Sequence, residues 1–484
     1  MAVLLSGLYA ADRCADLRAL TNFDASVISA ILMPKSGSMP EYCLVNGQIL
    51  PEVRFEIDLP TEWSGRLLTV GNGGYAGESL DSPQRYGQRL RALSRGFALA
   101  ATNTGHDGVT EPLGTFATNS QKLIDYAFRA VHVTTLFLKQ AVQTYYGRAA
   151  GRSYFEGCST GGRQGLIEAQ RFPQDFDGIV AGAPVLNFSG TMVSYAWMLR
   201  ALAASPIDTR KLKLLADKVY EHCDAADGLK DGLIDDPRHC DFAPRRDLPP
   251  CAEGADNPDC FTSGQIAALE AIYGGTQSRG KPYFPGMPLG SEGGWSPWIV
   301  RENGPTIGRL FGETFFRFLA FPKPDPNYDI SKFDFDKDPP RLEAIHKMLD
   351  AMDADLSAFK ARHGKLIMYF GWADPALNPM MGVTYYESVL KTMGESTGEF
   401  FRLFMVPGMY HCGGGVGPDR FDAFQALTDW VERGTAPDQI RAARVAGRKE
   451  VRTRPLCPYP QSAVYKGSGS IDDAQNFSCQ VRQR

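Results

Sequence analysis

The chain has 484 residues, 43 % hydrophobic and 22 % charged, which suits an ordinary globular protein with a core large enough for more than one domain. A formal net charge of -4 gives no electrostatic reason to expect nucleic acid or an anionic membrane surface as a partner. No uninterrupted apolar run approaches the ~18 to 20 residues of a membrane span, so a soluble protein is expected.

Ten cysteines, an even number without a Cys-x-x-Cys pair, argue against zinc and for a disulfide framework. That framework places the protein in the periplasm or outside the cell; reduced core cysteines of a cytosolic enzyme are the alternative. The apolar stretch Ala2–Ala11 lacks a basic flank and reads either as a signal-peptide remnant or as a first strand. Nothing in the pattern signals an oligomeric state.

Strand patterns follow at Tyr42–Val45, Val53–Leu59 with period-two alternation, and Arg66–Val70, with Asn46-Gly47, Pro60 and Gly65 marking turns. The last strand runs into Gly71-Asn72-Gly73-Gly74-Tyr75-Ala76-Gly77. This loop lacks the spacing of a phosphate-binding loop. In a serine hydrolase the same position supplies one backbone N–H to the substrate oxygen; a plain glycine-rich turn is the other reading. A buried strand at Phe97–Asn103 ends at His106 and Asp107. Because these two precede the serine, they read as loop residues shaping a site rather than as catalytic groups. Asp125–Tyr146 carries apolar residues at helical spacing, and His132 within it reads as a core or surface residue.

Tyr154–Gly162 contains Gly157-Cys158-Ser159-Thr160-Gly161, a Gly-x-Ser-x-Gly between a strand pattern and a helix pattern. A sharp strand-to-helix turn there exposes the serine hydroxyl at the edge of a sheet and aims the N–H of Thr160 at a bound acyl oxygen. With Gly178–Pro184 as the next strand, the alternation predicts an α/β fold with a doubly wound sheet.

From about residue 187 to 360 the pattern changes to helices (Thr191–Ala203, Thr209–His222, Ser263–Tyr273) and long Gly/Pro-rich segments. This reads as an insertion that divides the chain into 1–186, 187–360 and 361–484. Its Trp295, Trp298, Phe311, Phe315, Phe316, Phe318 and Phe321 form the insert's own core or, for some, an aromatic pocket. Within it, Cys223–Asp236 crowds carboxylates among glycines. Such a loop either binds calcium or is a solvated acidic turn, and Cys223 and Cys240 bracket it.

The sheet pattern returns at Lys365–Gly371, followed by Asp374, and at Phe400–Val406, followed by His411. Ser159, Asp374 and His411 then stand in the order of α/β-hydrolases. Cys158 and Cys412 flank the nucleophile and the base, so that geometry brings their sulfurs close. A bond between them would close a loop of about 250 residues, worth up to roughly 5 kcal/mol in the chain-entropy model.

With Cys158-Ser159, Asp374 and His411-Cys412 in place, the chain resembles the tannase and feruloyl esterase family over essentially its whole length. The resemblance implies an α/β-hydrolase with a large inserted lid, a catalytic triad of Ser159, Asp374 and His411, and an oxyanion hole from Thr160 and the Gly73-Gly74 pair. It implies no organic cofactor and a structural Ca2+ held by Asp224, Asp227 and Asp231 with the carbonyls of Leu229 and Leu233. It also implies disulfides Cys158–Cys412, Cys223–Cys240, Cys251–Cys260, Cys457–Cys479 and Cys14–Cys43. The implied partner is a small aromatic ester, hydroxycinnamoyl-type first, with galloyl esters or mono(2-hydroxyethyl) terephthalate as alternatives. In the last case Arg301, Arg309 or Arg317 would meet the free carboxylate. A non-catalytic phenolic-ligand binding protein is the competing class.

Overall fold

The computed structural model describes residues 12–482; the stretch Ala2–Ala11 lies outside the described residues. The density of internal contacts divides the chain into two compact units. One runs to Ala181 and includes Asp355–Leu366; the other comprises Gly182–Ala354 and Ile367–Arg484.

The first unit holds strands β1 (Ala25–Met33), β2 (Tyr42–Ile49), β3 (Val53–Pro60), β4 (Arg66–Val70), β5 (Phe97–Thr102), β6 (Arg152–Cys158) and β7 (Gly178–Gly182). Helices α1 (Pro83–Leu93), α2 (Ala130–Tyr146) and α3 (Thr160–Arg171) lie between strands from β4 onward. The sheet order is β1-β2-β3-β5-β4-β6-β7, antiparallel from β1 to β5 and parallel across β5, β4 and β6. All six residues of β5 are buried, which is why that strand reads as a continuous apolar run. The β3 alternation has a different outcome: Glu56 and Asp58 are buried too, because Arg89 of α1 lies over both carboxylates.

Asn46-Gly47, a turn signal in the sequence, lies inside β2 instead, and the reversal occurs at residues 50–52. Gly47 pairs with Phe55, and a Cβ on Gly47 would lie 2.3 Å from the Phe55 ring. The glycine thus makes room for an aromatic side chain and does not bend the chain.

The predicted helix at Asp125–Tyr146 is divided. Asp125–Arg129 forms a π-helical turn ahead of α2, and this turn aims Tyr126 at the loop after β4.

The second unit contains α4 (Phe188–Ala204), α5 (Thr209–Cys223), α6 (Ser263–Gly274) and α7 (Ile307–Phe318), followed by strand β8 (Lys365–Gly371), α8 (Met380–Met393), strand β9 (Phe401–Val406) and α9 (Ala423–Arg433). Strands β8 and β9 are neighbours. Trp295, Phe315 and Phe316 are fully buried and form core, as the plainer reading of the insert's aromatics predicts.

Disulfides join Cys14–Cys43, Cys223–Cys240, Cys251–Cys260 and Cys457–Cys479. Cys158 and Cys412 are disulfide-bonded as well, and no cysteine is free. Among the described residues no helix is long and apolar enough to cross a membrane.

Candidate active site

Strand β6 ends at Cys158, and Ser159 follows with a φ of 63° and ψ of -121° that a non-glycine residue holds only under constraint. The constraint is close backbone packing. A Cβ on Gly157 would lie 2.6 Å from Gly161, and a Cβ on Gly71 would lie 2.6 Å from Gly161 Cα. The end of β6, the loop after β4 and the first turn of α3 therefore meet backbone to backbone, as an exposed nucleophile on a tight turn requires. Gln164 of α3 clamps the loop: its Oε1 accepts the Asn72 N–H at 3.0 Å and its Nε2 donates to Asn72 Oδ1 at 3.2 Å.

The Gly73-Gly74 pair is held on three sides. The Gly73 carbonyl accepts the Ala76 N–H at 2.8 Å. The Gly74 carbonyl accepts the Thr160 hydroxyl and, at 3.0 Å, the Tyr126 hydroxyl. The Gly73 N–H donates to Glu78 Oε1 at 2.5 Å. That bond narrows the sequence reading of the Gly73-Gly74 pair to Gly74, since the Gly73 N–H is already engaged. Among the described residues the Gly74 N–H has no acceptor within the chain, and neither has the N–H of Thr160, a first-turn donor of α3. Tyr126 and Glu78 escaped sequence reasoning; the π-helical turn and the loop return that place them leave no periodic signal.

In the second unit, Asp374 follows β8 and is fully buried. Its Oδ1 accepts the N–H groups of Ala376 (2.8 Å) and Leu377 (2.9 Å), while Oδ2 lies 2.9 Å from Nδ1 of His411. The Tyr195 hydroxyl donates to the Ala376 carbonyl at 2.8 Å and steadies the same loop. A carboxylate fixed in this way holds the imidazole with Nδ1 protonated and Nε2 free to accept a proton. Cys412, at φ 60°, turns the chain sharply after His411, and its Sγ lies 3.7 Å from Nε2.

Half-buried Trp298 presents its edge to the His411 ring at 5.6 Å and stacks on Phe311 at 6.4 Å. Buried Glu292 accepts hydrogen bonds from Tyr273 (2.8 Å) and the Gly290 N–H, and burial pushes its carboxyl up to about 7.

The remaining histidines have other employment. His106 is buried and stacks on Phe116 at 4.1 Å, and His222 pairs with Asp241 at 2.7 Å. His132, Glu168 and Asp175 bring a nitrogen and two carboxylate oxygens within 4.8 Å of one another, a cluster that could hold a cation. Lys139 Nζ already lies 3.3 Å from Asp175, and burial and then Asp175 push the Glu168 carboxyl well above its usual range. One proton on Glu168 balances these charges without a metal.

In the acidic loop, Asp224 Oδ1 accepts the N–H groups of Asp231 (3.0 Å) and Gly232 (2.8 Å), and Asp227 Oδ1 accepts that of Leu229 (2.9 Å). Arg454 pairs with Asp231, and Arg482 with Asp235 at 3.1 Å and Asp227 at 3.5 Å. These four carboxylates face the guanidinium groups of Arg454 and Arg482 and that of Arg452, which donates to the Asp231 carbonyl at 2.8 Å. The Asp235 oxygen that faces Arg482 is buried, and burial pushes its carboxyl up to about 7. The loop offers carboxylate and carbonyl oxygens, the ligand type that a hard divalent ion such as calcium takes.

A sequence family described as tannase and feruloyl esterase matches residues 39–480. The chain belongs to the tannase and feruloyl esterase family. This tannase-family protein is 37 % identical to mono(2-hydroxyethyl) terephthalate hydrolase of Piscinibacter sakaiensis, over 92 % of this chain and 85 % of the relative. It is 31 % identical to a probable feruloyl esterase B-2 of Aspergillus terreus, over 89 % and 84 % of the two chains. The crystal structure of feruloyl esterase B from Aspergillus oryzae superimposes with a TM-score of 0.84 at 28 % identity, over 97 % of this chain and 100 % of that one. The tannase-family chain therefore has the α/β-hydrolase fold and is a carboxylic ester hydrolase, a reaction that needs no organic cofactor.

Proposed function

We propose that this enzyme hydrolyses esters of aromatic acids, hydroxycinnamoyl (feruloyl-type) esters first, through an acyl-enzyme on Ser159. The observation that carries the reading is the family match across residues 39–480, which spans the strained Ser159 and the hydrogen-bonded Asp374–His411 pair. Ser159 Oγ attacks the ester carbonyl as His411 Nε2 takes its proton. The tetrahedral oxyanion is met by the N–H groups of Gly74 and Thr160. Collapse expels the alcohol, which receives the proton from His411, and water repeats the sequence to release the acid. Asp374 keeps His411 in the competent tautomer and stabilises its charged form. A Cys158–Cys412 disulfide would tie nucleophile and base together covalently.

Residues 187–360 act as the lid that supplies the acyl pocket. The Trp298–Phe311 stack beside His411 suits a flat aromatic acid. The lid arginines favour an uncharged acyl group. Arg309 is 2.7 Å from Glu313, Arg317 is 3.6 Å from the same carboxylate, and Arg301 donates to the Pro305 carbonyl. A second reading, mono(2-hydroxyethyl) terephthalate as substrate, is favoured by the 37 % identity to the hydrolase of that ester. It would require one of these arginines to leave its partner for the substrate's carboxylate.

Calcium, held by Asp224, Asp227 and Asp231 with the carbonyls of Leu229 and Leu233, would stabilise the lid and take no part in the chemistry. The fully oxidised cysteines support a secreted or periplasmic enzyme. The deciding experiment is acid release by the wild type and Ser159→Ala from methyl ferulate, methyl gallate and mono(2-hydroxyethyl) terephthalate. Turnover of at least one by the wild type and none by the variant supports the reading, and the preferred acid names the substrate class. No turnover of any ester, or equal turnover by both proteins, overturns it.

A further inference from the structure

Glu78 stands apart from the groups that carry the ester chemistry, yet it is bonded to the loop that supplies one of them. Its Oε1 accepts the Gly73 N–H at 2.5 Å, and its Oε2 accepts from Asn72 Nδ2 at 3.3 Å and Arg85 Nη2 at 2.7 Å. Arg85 is 4 % exposed and also reaches Gln88 at 3.0 Å, so the carboxylate is anchored to the first turns of α1. Glu78 itself is 29 % exposed and lines a cavity of about 370 Å3 with Asn103, His106 and Asp107.

We propose that Glu78 is a positioning residue for the oxyanion hole. The proposal rests on the reading that Gly74 and Thr160 donate to the oxyanion. Glycine peptides rotate easily, because no side chain restricts φ and ψ. The peptide between Gly73 and Gly74 needs a fixed orientation if the Gly74 N–H is to point at a developing negative charge. Three ties act on it: the Gly73 N–H to Glu78 from the peptide before, the Gly73 carbonyl to Ala76 on the peptide itself, and the Gly74 carbonyl to Thr160 and Tyr126 from the peptide after. The first is the only one of these made to an ionised side chain, and charge-assisted bonds are the stronger class. Taking up the Gly73 N–H also leaves one outward donor in the pair. Arg85 has the complementary task. An unpaired carboxylate near an oxyanion would oppose it, and the buried guanidinium cancels that charge. Loop and helix thus form a preorganised dipole whose reorganisation cost is met during folding and not during the reaction.

The test compares Glu78→Ala, which removes the acceptor, with Glu78→Gln, which keeps an oxygen of the same reach. The ester is whichever one the wild type turns over. Expected for Glu78→Ala is a kcat about 10 to 100-fold lower with KM within about threefold, the size of effect that misplaced donors produce. Inhibition by an arylboronic acid, which forms a tetrahedral anion on the serine, weakens in parallel, whereas binding of the product acid does not. Glu78→Gln keeps an acceptor for the Gly73 N–H but turns its NH2 toward Arg85, so its kcat falls between those of the wild type and Glu78→Ala. Where the alanine variant does not fold, Glu78→Asp, one methylene shorter, carries the same expectation. The proposal is overturned if Glu78→Ala keeps kcat within twofold, if boronate and product binding fall together, or if Glu78→Gln is as impaired as Glu78→Ala. Phosphonate labelling of Ser159 in the wild type separates the two levels. A labelled serine with an indifferent Glu78 removes this inference alone, and an unlabelled serine removes the acyl-enzyme reading beneath it.

Discussion

Oδ2 of Asp374 lies 2.9 Å from Nδ1 of His411, while the other oxygen of the same buried carboxylate accepts two backbone N–H groups. The two backbone donors decide which way an amide would sit. In Asp374→Asn the side-chain oxygen stays on the N–H groups of Ala376 and Leu377, and the new NH2 faces His411. Nδ1 must then accept, which moves the ring proton to Nε2, where a base is needed. kcat is expected to fall about 10⁴-fold with little change in Tm. A loss below tenfold would contradict the role assigned to Asp374.

Thr160 offers two separable groups, its N–H and the hydroxyl bonded to the Gly74 carbonyl. Thr160→Val keeps the first and deletes the second. It is expected to lower kcat about tenfold at nearly constant KM, with Thr160→Ser close to wild type. Steady-state kinetics on the preferred ester checks this.

Glu292 supplies a pH prediction. Burial raises its carboxyl from an ordinary value of 4.5 to about 7, so the folded state holds a proton that the unfolded state releases. The stability this contributes is fully present below about pH 4.5 and is lost as pH rises from there through about 7. The loss amounts to about 3 kcal/mol. Glu292→Gln lacks the titration, so its Tm should gain on the wild type between pH 5 and 8. Parallel Tm profiles over that range would refute it.

The acidic loop is closed by Cys223–Cys240, which spans 17 residues. Replacing both cysteines by serine is expected to cost about 3 kcal/mol, the loop-entropy value for a bridge of this length. If the loop holds calcium, EDTA lowers the Tm of the wild type and added Ca2+ restores it, with kcat of the remaining folded enzyme unchanged. Coincident melting curves with and without chelator would exclude calcium.

The corrections show where local reading fails. Asn46-Gly47 has the composition of a turn, yet Gly47 sits mid-strand because Phe55, eight residues on, needs its space. Gly73 and Gly74 look interchangeable in the sequence; Glu78 distinguishes them by binding one N–H. Arg89 of α1, a helix that starts on the N-cap Ser82 and Pro83, explains why β3 can bury Glu56 and Asp58.

By itself the sequence determined the elements that carry Ser159, Asp374 and His411, their chain order and the cysteine framework. Those features rest on local chemistry: glycines flanking a serine, apolar runs long enough for a buried strand, and thiols in even number. Only the tertiary structure decided that Gly74 and Thr160 keep free N–H groups, that Trp298 meets His411, and that Glu78 and Arg85 brace the loop. These depend on which groups satisfy one another's hydrogen bonds and fill one another's space across the fold, a matter of distance in three dimensions that no spacing along the chain records.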